Sequence, residues 1–242
     1  MIKLTTEVNL QDFILLLPAV AVGNVAQLAI DLLITSQKMK KIGHVANCCF
    51  IPILGADPYI KDSSNLCTSA DFYVQESKKL VALQIRSPAV KNLQGFFQDL
   101  GKFVADHGIS KVVILTSAWA HTRSDIQIRT EPMRFLASPN CGEIFSSLDF
   151  LELEASKDEL GHDGFEISGG GFALKLHKFL SNQGIPSVVI LRFCSEGDNV
   201  PDAVAVLEYL NRWLAFGFDA KKVKFPDSWE FLFGNPAPVD IY

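Results

Sequence analysis

One passage constrains the fold more than any other, and it occurs twice. Near the start, Phe13-Ile-Leu-Leu-Leu-Pro-Ala-Val-Ala-Val-Gly-Asn-Val-Ala leads from an apolar strand through Gly23-Asn24 into a helix. Near the end, Ser187-Val-Val-Ile-Leu-Arg-Phe-Cys-Ser-Glu-Gly-Asp-Asn-Val-Pro-Asp-Ala repeats the order of strand, acidic glycine loop and helix. A buried strand, a tight turn and an amphipathic helix make the unit of a layered α/β domain. The expectation is one mostly parallel sheet with helices on both faces. Loops of this kind usually form a site at the carboxyl edge of the sheet.

The rest of the chain fills in that pattern. The first strand is predicted over Phe13–Leu17 and its helix over Asn24–Ser36, where Val25, Leu28, Ala29, Leu32 and Leu33 recur at helical spacing. Ile42–Cys48 and Phe50–Leu54 read as extended, and Lys61–Ser69 as a surface loop. Asp71–Gln75 and Leu80–Arg86 read as a hairpin turning at Glu76–Lys79. A helix from about Val90 to His107 buries Leu93, Phe96, Phe97, Leu100 and Val104, and Gly108 stops it. Lys111–Leu115 is a compact strand of the kind parallel sheets bury. Thr116–Asn140 is the least regular stretch, and a short helix is expected after it at Phe145–Leu153. Helices at Ala173–Asn182 and Asp202–Phe216 flank a strand at Ser187–Phe193. The Pro- and Phe-rich tail from about 222 to 242 is expected to be extended.

Composition narrows the function. The 242 residues, 48% hydrophobic and 20% charged, suit one large domain over 1–242 with a substantial core. With 18 Phe against 4 Tyr and 3 Trp, much of the aromatic content is expected to serve packing. A net charge of −5 argues against nucleic acid as a partner, since such binding relies on Lys and Arg against phosphate. It also disfavours an anionic membrane. Glu7, Gln11 and Asp12 interrupt any signal-peptide core, and Phe13–Val22 contains Pro18 and is too short to span a bilayer. Five cysteines without regular spacing, Cys48 and Cys49 adjacent among them, speak for a reducing compartment. The reading is a soluble protein of cytoplasm and nucleus.

Residues that could carry chemistry are few. Ser168-Gly-Gly-Gly171 opens a helix, where bare amides could cradle an anion, yet neither a Walker loop nor a dinucleotide fingerprint surrounds it. The alternative is a turn that lets the helix pack closely. Glu196 and Asp198 lie beyond a strand end, where acids or metal ligands often sit; the competing reading is that Asp198 or Asn199 makes the turn and caps the helix opened by Pro201. Ser117, His121 and Asp125 share one loop but lack a nucleophile elbow. His44 and His177 have apolar neighbours and read as packing or surface residues, and no histidine pair has metal spacing. No cofactor is implied.

Read together, several segments resemble one family. They are Leu-Pro-Ala-Val-Ala-Val-Gly-Asn-Val-Ala-Gln-Leu-Ala from Leu17, Lys-Leu-Val-Ala-Leu-Gln-Ile-Arg-Ser from Lys79 and Asp-Ile-Gln-Ile-Arg from Asp125. Ser-Gly-Gly-Gly from Ser168, Ser-Glu-Gly-Asp-Asn-Val-Pro-Asp-Ala from Ser195 and Pro-Asp-Ser-Trp-Glu-Phe-Leu-Phe-Gly from Pro226 complete the set. The chain is similar to the proteasome assembly chaperones, on the side of the second subunit of their heterodimer. The resemblance implies a three-layer α/β/α sandwich shaped like a nucleoside phosphorylase but without its active site. It further implies a non-enzymatic partner of proteasome assembly chaperone 1, acting on α-type subunits as the 20S α-ring forms. Members of this system can insert a hydrophobic-Tyr-any residue tail between α subunits, which points to Asp240, Ile241 and Tyr242; here Ile241 stands in the place of the Tyr. The rival reading is a small-molecule phosphorylase or hydrolase using Gly169–Gly171 with Glu196 or Asp198. Convergent polar groups in an edge cavity would favour the enzyme, and an exposed apolar surface the chaperone.

Overall fold

The computed structural model describes residues 1–46, 49–141, 148–157 and 163–230. An eight-stranded sheet divides the molecule. Its strands are β1 (Ile2–Leu4), β2 (Ile14–Pro18), β3 (Lys40–Val45), β6 (Ala70–Gln75), β7 (Leu80–Ile85), β8 (Lys111–Trp119), β9 (Met133–Ala137) and β12 (Ser187–Cys194). Two small pairs lie outside it: β4 (Leu54–Ala56) with β5 (Leu66–Thr68), and β10 (Ser156–Lys157) with β11 (Asp163–Gly164). The helices are α1 (Val25–Ser36), α2 (Leu93–Asp106), the single turn α3 (Asp125–Ile128), α4 (Ala173–Asn182) and α5 (Val200–Leu214).

The sheet order is β1-β3-β6-β7-β2-β8-β12-β9. Its centre, β7-β2-β8-β12, is parallel throughout, and antiparallel partners extend it on both sides. Five of the eight strands, β3 with the central four, run the same way. The β6–β7 hairpin agrees with the sequence reading to within one residue at its outer ends, and Lys79 closes it in the left-handed conformation.

Strand alternation sorts the core into two layers. Leu15, Leu17, Val112, Ile114, Val189 and Leu191 point toward α2 and α4. Leu16, Val113, Leu115, Val188 and Ile190 point toward α1 and α5. The result is a three-layer α/β/α sandwich. Phenylalanine dominates the first layer: Phe96 meets Phe50 at 5.0 Å and Phe172 at 6.1 Å between ring centroids, and Phe97 meets Phe179 at 5.8 Å. Gly108, at φ 61°, supplies the left-handed turn that ends α2.

Several expectations need correction. Thr116–Asn140 is more regular than its composition suggests, because β8 continues to Trp119 and β9 pairs antiparallel with β12. The loop expected over Lys61–Ser69 contains β5, and Phe50–Leu54 holds only an isolated bridge from Phe50 to Ala89 before β4 begins. The strand expected to reach Cys48 ends at Val45, with Cys48 outside the described residues. No helix forms over 148–153; that stretch instead lies along the outer edge of β9, with Phe135 N–H donating to the Leu151 carbonyl at 3.0 Å. Residues 145–147 of that expected helix are outside the described residues, as are Asp240, Ile241 and Tyr242.

The layered core makes a quantitative prediction. Phe96 is fully buried and meets the rings of Phe50, Phe97 and Phe172, so Phe96→Ala should lower unfolding stability by about 3–5 kcal/mol. Leu66→Ala, on a side chain 56% exposed, should stay within about 0.5 kcal/mol of the unaltered protein. Urea titrations of the full chain measure both.

Candidate functional site

The carboxyl ends of β2, β8 and β12 meet where the glycine loops were expected to form a site, and their own residues fill the place. The Val22 carbonyl accepts hydrogen bonds from the buried Ser117 hydroxyl and, at 3.7 Å, from the Cys194 thiol. Thr116 Oγ1 donates to the Gly170 carbonyl at 2.9 Å. A Cβ on Gly169 would stand 2.5 Å from Val22 Cγ2, and one on Gly171 2.3 Å from the Val20 carbonyl oxygen. The loop is pressed against the exit of β2, which is the close-packing role rather than an open anion cradle.

The acidic loop serves the turn. Asp198 is exposed, and its Oδ1 accepts the Val200 N–H at 3.0 Å at the entry of α5. Asn199 occupies the N-cap position without a side-chain cap bond; its amide instead packs where a Cβ on Gly23 would fall, 2.3 Å away. Glu196 is exposed. Arg192 donates to Asp202 at 2.8 Å and so ties β12 to α5.

The remaining candidates do not form a relay. Ser117 is committed to Val22, His121 is exposed beside the Trp119 ring at 5.5 Å, and Asp125 lies exposed in the first turn of α3. Burial first, then Asp202, pushes the Cys194 thiol up to about 11, so it stays protonated at neutral pH. His177 is buried, shares a 2.9 Å hydrogen bond with Ser187 Oγ, and is held below the ordinary imidazole range by desolvation. His44 lies half-buried on β3, opposite Asp71.

A cleft of about 550 Å³ does open beside β8 and β12, lined by Ala118, Leu191 and Phe193 with Gln127, Glu154 and Glu166. Glu154 takes Arg134 Nε at 3.0 and 3.1 Å and Gln127 Nε2 at 2.7 Å. Partial burial raises its carboxyl pKa, but these hydrogen bonds and the guanidinium outweigh that and hold it below the carboxylate range. Arg134 is 1% exposed, and its remaining donors reach the Glu131 and Met133 carbonyls and Thr130 Oγ1. Among the described lining residues none is Lys, Arg or His, so a phosphate there would meet carboxylates.

Two features escaped the sequence reading. The first is a polar cluster inside the α1 layer. Asp31 Oδ1 accepts from Tyr59 OH at 2.5 Å, Gln84 Nε2 at 2.6 Å and Arg86 NH2 at 3.0 Å. Arg86 also donates to Tyr59 OH at 2.7 Å. Burial lowers the Arg86 pKa, but Asp31 together with Tyr59 and Tyr73 outweighs it and holds the guanidinium above its ordinary range. The available signal was Asp31 itself, an acid among the apolar residues of α1.

The second feature is apolar. Ile51, Ile53, Leu54 and Leu66 are 40–70% exposed on and beside the β4–β5 hairpin, and the exposed Val90 is brought near Ile51 by a hydrogen bond from its N–H to the Cys49 carbonyl at 2.8 Å. The hairpin leads into β6 at the carboxyl end of β7, beyond the central strands.

Comparison with known proteins now decides the family. The model of the PAC2 family matches residues 15–224, which span the parallel centre of the sheet and all the long helices. The chain belongs to the PAC2 family. It is 37% identical to proteasome assembly chaperone 2 of Xenopus tropicalis, covering 96% of this chain and 95% of that one, and 37% identical to the Homo sapiens protein of that name, covering 97% and 96%. Among solved structures it superposes on Pyrococcus furiosus PbaA, an archaeal homolog of proteasome-assembly chaperone, with a TM-score of 0.68 over 91% of this chain and 89% of that one, at 17% identity.

The packing of the glycine loop is testable at Gly171. Its φ of 61° and the nearby Val20 carbonyl both oppose a Cβ, so Gly171→Ala should cost about 1–3 kcal/mol of unfolding stability. A thermal melt unchanged by this substitution would mean that the loop is not packed as described.

Proposed function

We propose that this chain is a non-enzymatic chaperone that pairs with proteasome assembly chaperone 1, binds α-type subunits and promotes 20S α-ring assembly while preventing off-pathway ring association. The observation that carries the reading is the pairing of a carboxyl edge filled by its own side chains with an exposed apolar hairpin beyond it. An enzyme needs a nucleophile, a base and charge-stabilising donors converging on a cavity. The edge cleft instead offers carboxylates beside apolar side chains. Exposed apolar side chains gathered on neighbouring segments suit a protein partner. The names of the similar proteins support the same reading. Cytoplasm and nucleus are its proposed locations.

The hairpin is assigned to the heterodimer contact. Replacing Leu54 and Leu66, 70% and 56% exposed, with Glu would put two charges into an interface centre where charged residues are depleted. Affinity for the first chaperone subunit should fall about 30-fold or more, at a cost of roughly 2 kcal/mol or above. The melting temperature should barely move. Light scattering and titration of the purified pair measure this, and undiminished pairing by the double variant would remove the hairpin from the interface.

The tail is assigned to the α-ring. Pro236 and Pro238 restrict its chain freedom, so less entropy is lost on docking, while Ile241 and Tyr242 would bury apolar surface. Deleting Asp240, Ile241 and Tyr242 should weaken α-ring binding about tenfold or more while leaving pairing and thermal stability unchanged. Equal ring binding by the truncated chain would make the tail passive.

A further inference from the structure

The polar cluster and the C-terminal segment meet in one loop. Residues 57–61 follow β4, and Tyr59 sends its hydroxyl down to Asp31 on α1. Its ring lies edge-on to Tyr73 at 5.3 Å between centroids, with the Arg86 guanidinium 5.4 Å from the ring centre. On either side of Tyr59, the backbone grips the far end of the chain. The Pro58 carbonyl accepts the Ser228 N–H at 3.1 Å, and the Lys61 N–H donates to Asp227 Oδ2 at 2.8 Å. Lys61 Nζ stands 3.9 Å from Glu230. A second tether lies upstream, where the Lys224 N–H donates to Ser36 Oγ at the end of α1.

We infer that Asp31, Tyr59 and Arg86 are positioning residues that fix where the segment Lys224–Glu230 lies, and hence the point from which residues 231–242 continue. The chain of contacts is short and directional. The carboxylate of Asp31 is held in the core by Gln84 and Arg86; it holds the Tyr59 hydroxyl, and the Pro58 carbonyl and Lys61 N–H on either side of Tyr59 hold Ser228 and Asp227. Each link is a hydrogen bond, and those at Asp31 and Asp227 have a carboxylate acceptor, which makes them stronger than neutral bonds. A surface loop with this much anchorage differs from the usual mobile connection. The significance for the α-ring rests on the tail reading proposed above, whereas the positioning itself does not.

Amide hydrogen exchange on the full chain, read by mass spectrometry in fragments covering 57–63 and 224–230, tests the inference. Tyr59→Phe removes one hydroxyl and leaves the ring; it should speed exchange about tenfold in both fragments and leave α2 unaffected. Asp227→Ala, cutting the link from the other side, should speed exchange of the 57–63 fragment. Unchanged exchange in both fragments of Tyr59→Phe overturns the positioning role, and so does a response to Asp227→Ala alone. α-Ring binding, measured in parallel, separates the two readings. Faster exchange with weakened ring binding, seen only while the last three residues are present, supports positioning and tail docking together. Faster exchange with unaltered ring binding keeps the positioning role and removes the tail from the ring contact.

Discussion

Everything in this molecule depends on central strands that are buried on both faces. Leu15, Leu16 and Leu17 of β2 are fully inaccessible, with β7 and β8 paired on either side and a helix layer above and below. Over their middles such strands carry apolar side chains, because a polar group there would need a hydrogen-bond partner in the layer it faces; the buried Gln84, Thr116 and Ser117 sit toward the carboxyl ends, where they find one. Chemistry is therefore displaced to the strand ends. At the carboxyl ends the loops close on one another through the Val22 carbonyl, the glycines of 169–171 and the Asn199 amide. What stays open to other molecules is the acidic cleft beside β8 and β12 and, at the periphery, the β4–β5 hairpin, α3 and the segment Lys224–Glu230.

The sequence made the buried elements legible and the edge elements obscure, for a physical reason. β2, β12, α1, α2 and α4 each advertise burial in their own local periodicity, so their ends fall within a few residues of expectation. β9 does not. Met133-Arg-Phe-Leu-Ala has a charge in its middle, and only the structure shows that Arg134 is saturated by Glu154, Thr130 and two carbonyls. β4 and β5 are three residues each and depend on each other across an intervening loop, so neither leaves a pattern that a short window can detect. The helix expected over Phe145–Leu153 failed in its described part because 151–153 pairs with the β9 edge, a contact that helical spacing cannot foresee.

The functional surface was legible in part. Closure of the glycine loop followed from the absence of a phosphate-binding pattern, and the turn-making role of Asp198 followed from Pro201 behind it. The Asp31–Tyr59–Arg86 cluster stayed hidden because its members are 28 and 55 residues from Asp31, and each alone has an ordinary explanation. Such a cluster is weak evidence of stability, since desolvating two charges offsets much of their attraction. Arg86 Nε is buried without a hydrogen-bond partner among the described residues, which makes the arrangement costlier still. A lining of hydrophobic residues would hold the layers together as well. What it would not do is fix Tyr59 in one place, and that specificity is the better reason for a charge here.

The same division between anchoring polar groups and exposed apolar ones explains how the hairpin can exist. A two-stranded pair is marginal by itself in water. Here its backbone is fastened to the domain by hydroxyls and one ammonium. Ser69 Oγ accepts the Ile53 N–H at 2.9 Å and donates to the Ile51 carbonyl at 2.7 Å, and Ser87 Oγ donates to that same carbonyl at 2.8 Å. Lys41 Nζ reaches the Leu66 carbonyl at 2.6 Å while paired with the buried Asp71 at 2.9 Å. Asp71 in turn receives the Thr68 N–H at 2.7 Å, closing the strand onto the sheet. With the backbone held by polar contacts, the side chains of Ile53, Leu54 and Leu66 are not needed to hold the hairpin down. They can remain outside, and an apolar surface kept exposed by polar fastening is what a binding platform requires.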